Sequence, residues 1–393
     1  MANRREEILQ KYIWLTLACG ADSRYPFRLF SKYGDINKVY EADDYDELDM
    51  PDYVVRSLFD KRLNQAFEIV KKCNALGVNV ICFEDKEYPL KLKKIKDPPL
   101  VLYYKGNFIN TDASLCVGMV GTRKVSNYGE KTANYLASGV GSSGAVVVSG
   151  LAKGIDSICQ RAAMSAGGFT IGVIGNSIDT VYPRENAALF NKTYKYGLVI
   201  SEYWPGCATN KYSFPRRNRI IAGLSDILVV VEAPAKSGAL ITASHAVKAG
   251  KPVCVPPMPL TEENAGTASL LRAGARMITG VEDLLSEYEE ALPHKIAPDV
   301  PLPSLKKDGE DLFGGDKRIG NSEKELAYTF LLDELERNGP ETLAKAAMAT
   351  KRFSLKELML AATALELDGY IVKTVGGMYD TVPIEIKTTD KEK

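Results

Sequence analysis

The chain has 393 residues, of which 45% are hydrophobic and 25% charged, an ordinary globular composition with length enough for two or three domains. No apolar run approaches the roughly 18 residues of a membrane span. The start, "MANRREEILQKY", has no apolar stretch to serve as a secretion signal, so a cytoplasmic protein with no membrane contact is expected.

The formal net charge is zero, but its distribution is uneven. Residues 113–260 hold 15 Lys and Arg against 7 Asp and Glu, whereas residues 41–52 hold seven acids and no base. A basic centre flanked by acidic stretches suits a polyanion held at one place, although solubilising lysines on outer helices account for part of the excess. The seven cysteines form no C-x-x-C pair, which predicts reduced thiols rather than disulfides or a zinc site.

Residues 1–72 read as a small helical module with an acidic connector. "REEILQKYIWLTLA", "FRLFSKYGDINKVY" and "PDYVVRSLFDKRLNQAFEIVKKCNAL" give three helical stretches, the last begun by a proline. From Gly77 the texture changes: "GVNVICFED" and "PPLVLYYKGN" read as strands. Residues 73–290 then repeat one pattern, an apolar β-branched run, glycines and a helix. The runs are 114–121, 145–150, 169–175, 197–203, 226–233 and 251–257. Strands that are apolar throughout and alternate with helices predict a parallel α/β sheet covered on both faces, with ligands at the strands' carboxyl ends. Residues 291–320, rich in proline, glycine and charge, read as a linker. Residues 321–387 predict helices near 322–338, 341–349 and 354–368, then a hairpin turning at Gly376-Gly377, the pattern of a winged helix.

The strand ends carry the candidate chemistry. "GMVGTRKVSNYG" places Gly121, Arg123 and Ser126 at a helix start, "VSGLAKGID" supplies Gly150 and Lys153, and "VYPRENAALF" supplies Tyr182, Arg184 and Asn186. One glycine turn after a strand is an ordinary tight turn; several with a base at each point to an anion. The fourth stretch, "FPRRNRIIAGLSD", crowds arginines into the first turns of a helix, where the macrodipole disfavours cations. Steps of about 100° put Arg217 toward the core and Arg219 nearly opposite. Phe214, with Lys211 nearby, is a candidate platform for a nucleobase. Neither a G-x-x-x-x-G-K-[ST] loop nor a G-x-G-x-x-G fingerprint is present, so no nucleotide cofactor is expected. No metal cluster, paired carboxylates or nucleophile motif stands out. Glu232, at a strand end, is a possible base, and Asp156 and Asp226 are expected to pair with nearby arginines.

Together "VGTRKVSNYG", "VSGLAKGID", "GNSIDTVYPRENAAL", "SEY", "FPRRNRIIAGLSD", "VVVEA" and "SGALITA" resemble the DprA/Smf family of DNA-processing proteins, continuously from about residue 80 to 285. The resemblance implies an extended Rossmann-like core that binds single-stranded DNA, protects it and helps load the RecA recombinase, in a homodimer that is not an enzyme. It implies a SAM-like amino-terminal domain and a carboxyl-terminal winged helix. By motif, the DNA pocket would hold Gly121, Arg123, Ser126, Gly150, Arg184, Lys211, Phe214, Arg217 and Arg219. Two departures stand out: Cys159-Gln160 where the family has Ala-His, and "PPMPLTEENAGTASLLRAGA" where it has Pro-Gly. They leave room for a specialised member in a mobile-element or defence locus.

The related lonely-guy proteins, which cleave nucleoside monophosphates, carry P-G-G-x-G-T-x-x-E; "EAPAKSGALITA" stands there instead, so a nucleotide-sensing or cleaving enzyme is the alternative reading. The predicted helix 354–368 has one base, Lys356, against Glu357, Glu366 and Asp368. That charge favours protein contact over DNA reading for the last module.

Overall fold

The computed structural model describes residues 2–285, apart from 22 and 46–48, and scattered positions between 330 and 381. The described residues fall into two compact units, one ending at 285 and the other beginning at 330.

The first unit opens with five helices: α1 (Ala2–Cys19), α2 (Tyr25–Tyr33), α3 (Ile36–Glu41), α4 (Asp52–Phe59) and α5 (Asn64–Ala75). The sequence predicts three helical stretches here, and the second and third are each broken in two. Gly34, at φ 93°, ends α2, and the Asp35 carboxylate caps α3 by accepting from the amides of Asn37 and Lys38. Leu9, Ile13, Leu29, Val39 and Leu58 form the buried side of this layer. Arg5 ties it to the sheet region through Asp85, at 2.7 and 2.9 Å.

Next come β1 (Asn79–Cys82), α6 (Leu90–Lys93), β2 (Val101–Gly106), β3 (Cys116–Val120), α7 (Asn127–Ser142), β4 (Val146–Ser149), α8 (Ile155–Ser165) and β5 (Thr170–Ile174). They are followed by α9 (Ala187–Tyr196), β6 (Leu198–Ser201), α10 (Ser213–Leu224), β7 (Ile227–Val230), α11 (Gly238–Lys248), β8 (Val253–Val255), α12 (Ala265–Arg272) and β9 (Arg276–Met277). All nine strands join one sheet in the order β1-β2-β6-β5-β4-β3-β7-β8-β9. From β6 to β9 the neighbours are parallel; β1 and β2 run antiparallel at one edge.

Each of the six apolar runs contains one of the parallel strands β3 to β8. These are buried at every residue because helices cover both faces. Leu136, Ala137 and Ala163 of α7 and α8 pack with Val117 and Val147 on one face. Ile220, Ala239 and Ala243 of α10 and α11 pack with Val146 and Val148 on the other. The chain winds outward from β3 through β4, β5 and β6, then returns to β7 on the opposite side of β3. Strand order therefore reverses between β3 and β7, and the loops leaving those two strands diverge to open a crevice. Helix α12 and strand β9 were not expected from a segment so rich in proline and glycine.

In the second unit, α13 (Leu343–Ala349) lies within the predicted second helix, and β10 (Ile371–Lys373) pairs antiparallel with β11 (Tyr379–Thr381). Positions 330, 331, 335, 355, 358, 359, 361 and 362 are helical. The expected linker 291–320 and the turn at 376–377 lie outside the described residues.

Candidate nucleic-acid interface

The loop after β3 is fixed by one acid. The Glu232 carbonyl accepts from the amide of Thr122 at 2.7 Å, and its carboxylate accepts from the amide of Ser126 at 3.0 Å. Ser126 in turn caps α7, accepting from the amide of Gly129 at 2.9 Å. A side chain at Gly121 would come within 2.5 Å of Ile155 and 2.8 Å of the Glu232 carbonyl, so only glycine lets the loop lie this close. Glu232 is fully buried. It clamps the loop that presents Arg123 and is not exposed to act as the base its position suggested. Arg123 is exposed and has no ion pair among the described residues.

The loop after β4 holds Leu151 at φ 51°, a strained conformation for a branched residue. Its amide donates to Gln160 Oε1 at 3.0 Å, its carbonyl accepts from Asn186 Nδ2 at 2.9 Å, and Gln160 Nε2 donates to Thr170 Oγ1 at 3.0 Å. Gln160 thus fills a structural position beside the loop. Asn186, expected to meet the ligand, is buried in holding Leu151. Lys153, by contrast, is exposed. Its 2.6 Å ion pair with Glu185 joins two side chains that are each more than half exposed, so the pair contributes little and opens readily to another anion.

Helix α10 begins at Ser213, earlier than expected, because Pro215 is tolerated within a first turn. Its arginines find anions inside the protein. Arg217 is 5% exposed, and its Nη1 donates to the carbonyl of Gly150 at 2.9 Å and to that of Val173. Burial pushes its pKa down to about 10, with the charge of Asp156 opposing; it stays a cation at neutral pH. Asp156 accepts from the Gly150 amide at 3.1 Å. Burial pushes the Asp156 carboxyl up, against the pull of Arg217, the Gly150 amide and Arg123.

Arg219 corrects the expectation of a solvent-facing phosphate ligand. It forms a two-pronged pair with Glu202 at 2.6 and 3.0 Å, and its Nε donates to the Asp97 carbonyl at 2.9 Å. The reason is that α10 is covered on that side as well: Gly223 admits Leu92 and Ile95 so closely that a Cβ would lie 2.8 Å from each. Arg216 lies 3.8 Å from Asp97. Asp226 pairs with Lys91 at 2.6 Å rather than with an arginine.

Two adjoining hollows open at the strand ends and share Arg123, Ala152, Phe214 and Arg217. The smaller, about 220 Å³, is walled by Gly150, Lys153, Asn176, Tyr182 and Phe214. Its two rings lie 5.4 Å apart at 48°, with Tyr182 49% exposed. The larger, about 300 Å³, lies at the strand-order reversal and adds Thr122, Lys236, Ser237 and Gly238. Ser237 caps α11, accepting from the amide of Ala239 at 3.2 Å, so the start of that helix lines the same space.

Of the predicted residues, Gly121, Arg123, Gly150, Lys153, Phe214 and Arg217 converge here. Ser126, Arg184, Asn186, Lys211 and Arg219 line neither hollow; Arg184 and Lys211 are exposed outside it. Sequence reasoning did not assign Lys236 or Asn176. Lys236 lies in "EAPAKSGALITA", between a strand and the Ser237-Gly238 start of the next helix, so its charge was the available signal. The arrangement can hold phosphate groups on Arg123, Lys153 and Lys236 beside two stacking surfaces, with Arg217 adding buried positive charge beneath.

The model of the family described as DNA recombination-mediator protein A matches residues 79–289. The DNA processing protein DprA of Bacillus subtilis is 41% identical over 215 residues, covering 54% of this chain and 72% of that protein. The X-ray structure of DNA processing protein A from Streptococcus pneumoniae aligns with a TM-score of 0.63 at 32% identity, over 70% of this chain and 97% of that one. A structure of DNA processing protein A from Helicobacter pylori, concerned with its single-stranded DNA binding mode, aligns with a TM-score of 0.50 at 33% identity, over 55% and 96%.

Proposed function

From the premise that the chain belongs to the DNA recombination-mediator protein A family, we propose that it binds single-stranded DNA at the paired hollows, protects the strand and loads RecA recombinase onto it. The observation that carries this reading is the placing of exposed Arg123 beside the Tyr182 and Phe214 rings at the carboxyl ends of parallel strands. Phosphates meet the exposed cations and bases stack on the rings, an arrangement that tolerates any sequence. The hollows need no nucleotide and no metal for this. We assign the protein to the cytoplasm as a homodimer without enzymatic activity; no described helix is long and apolar enough to cross a membrane. In this reading residues 1–72 act as a SAM-like module, 73–290 as the DNA-binding core and 321–387 as a winged helix that contacts protein.

The reading is tested by anisotropy of labelled oligo-dT in the absence of nucleotide. Affinity is expected to fall steeply with salt, by about 0.7 in the logarithmic slope for each phosphate contacted. Absence of binding at low salt would remove the reading. RecA filament formation on protein-coated strands is expected to speed up when the protein is present, and an unchanged rate would remove the loading step alone.

A further inference from the structure

A second cleft, of about 400 Å³, lies on the other flank of α10, between the amino-terminal helices, the 94–97 loop and α11. Six cations line it: Arg24, Lys94, Lys96, Arg216, Arg219 and Lys248. Against them stand Asp97 in the wall and Glu202, which neutralises Arg219 from behind. The balance leaves four positive charges around one small space. Its remaining walls are Ile95, His245 and Ala249, with no Tyr, Phe or Trp. The cleft therefore lacks the stacking surfaces of the strand-end hollows and offers charge alone. His245 registers this field. Burial holds its pKa below the usual value, and the charges of Arg219, Lys248 and Arg216 press it lower against the weaker pull of Asp97.

The geometry points to a second phosphate-binding site in this cleft, one that takes phosphate groups without reading a base. A compact basic pocket with no aromatic face recognises a phosphodiester or a free polyphosphate by charge and hydrogen bonding only. Arg216 and Arg219 lie on one flank of the helix whose other flank carries Phe214 and Arg217. A strand long enough to leave the hollows could thus be held by its backbone on the far side of α10. A nucleic-acid backbone and a free phosphate compound present the same chemistry here, and they separate by experiment.

Lys94, Lys96 and Lys248 are exposed rim residues with no ion pair among the described residues, so replacing all three with alanine should leave the fold intact. The full chain and this triple variant are titrated with oligo-dT of ~6 and ~30 nucleotides, lengths within and well beyond a typical single-strand site, and with inorganic pyrophosphate by calorimetry. The expected result is a loss of roughly tenfold in affinity for the long strand, a fall of about 2 in its logarithmic salt slope, and unchanged binding of the short one. Loss of pyrophosphate binding with the long strand unaffected would instead identify a free phosphate compound as the occupant, and the site would stand. If neither ligand responds to the triple variant, the site does not exist. Arg123→Ala, run alongside, reports on the strand-end hollows: unchanged short-strand binding would count against those hollows whatever the triple variant does.

Discussion

Removing Arg219 alone should destabilise the protein far more than removing it together with Glu202. The two side chains are 4% and 3% exposed and joined by hydrogen bonds of 2.6 and 3.0 Å. Arg219→Met leaves the Glu202 carboxylate buried beside a thioether, and breaking one half of such a pair costs about 3–5 kcal/mol. Two lost charge-assisted bonds at roughly 1.5–3 kcal/mol each lead to the same range. In Glu202→Leu/Arg219→Met no buried charge remains. Beyond the pair itself, the double variant forfeits the Arg219 bonds to the Asp97 and Arg216 carbonyls, about 1 kcal/mol each. Urea unfolding of the two singles, the double and the parent measures the coupling, expected at about 3 kcal/mol or more. Singles costing less than about 1 kcal/mol, or a double as costly as their sum, would refute the assignment of Glu202 as the anion for Arg219. The same double variant should bind short oligo-dT like the parent, because the pair lies outside both hollows. Loss of that binding would restore Arg219 as a DNA ligand.

Gln160→Ala is expected to cost about 1–3 kcal/mol, since it strands the buried amide of Leu151 in a left-handed conformation; thermal unfolding reads the loss, and a cost near zero would remove Gln160 as the support of this loop. Gly150→Ala would place a methyl group 2.5 Å from Asp156 Oδ2 and 2.6 Å from Arg217 Nη1. It should cost about 1–3 kcal/mol through overpacking and weaken short-strand binding in titrations. Asp179 joins the core to α5 through Lys72 at 3.7 Å. Burial pushes its carboxyl up, but Ser177, Gly206 and Lys72 outweigh it and hold the pKa below the ordinary 3.8. Its folded pKa is depressed, so its contribution is complete above pH 3.8 and is lost as pH falls through the lower folded value. Asp179→Asn should flatten the acid limb of a stability-versus-pH curve, and an unchanged limb would contradict the assignment.

The parallel sheet was legible because each of β3 to β8 is buried on both faces and therefore apolar at nearly every position, a pattern local to the run. The loops at their ends were legible for a similar reason: glycine and a base recur at the exits from β3, β4 and β7. The inward direction of Arg217 followed from helical spacing alone. What spacing could not supply was the environment of the opposite face. A helical wheel assigns one side to solvent, whereas α10 is covered on both, and the partner of Arg219 lies 17 residues away beyond β6. Asn186 misled for a related reason. A polar residue near a phosphate-like loop reads as a ligand, yet Asn186 serves the backbone of Leu151, whose left-handed conformation has no signature in a leucine. The crowding of arginines at the start of α10 is thus answered within the protein, by Asp156, Glu202 and Asp97. The exposed cations at the strand-end hollows are Arg123, Lys153 and Lys236.

A crystal structure of the full chain with a short oligo-dT tests the proposed interface most directly. A base stacked on Tyr182 or Phe214, with a phosphate within hydrogen-bonding distance of Arg123, is the predicted result. A strand bound elsewhere on the protein, with the hollows at the ends of β3, β4 and β5 empty, would contradict it.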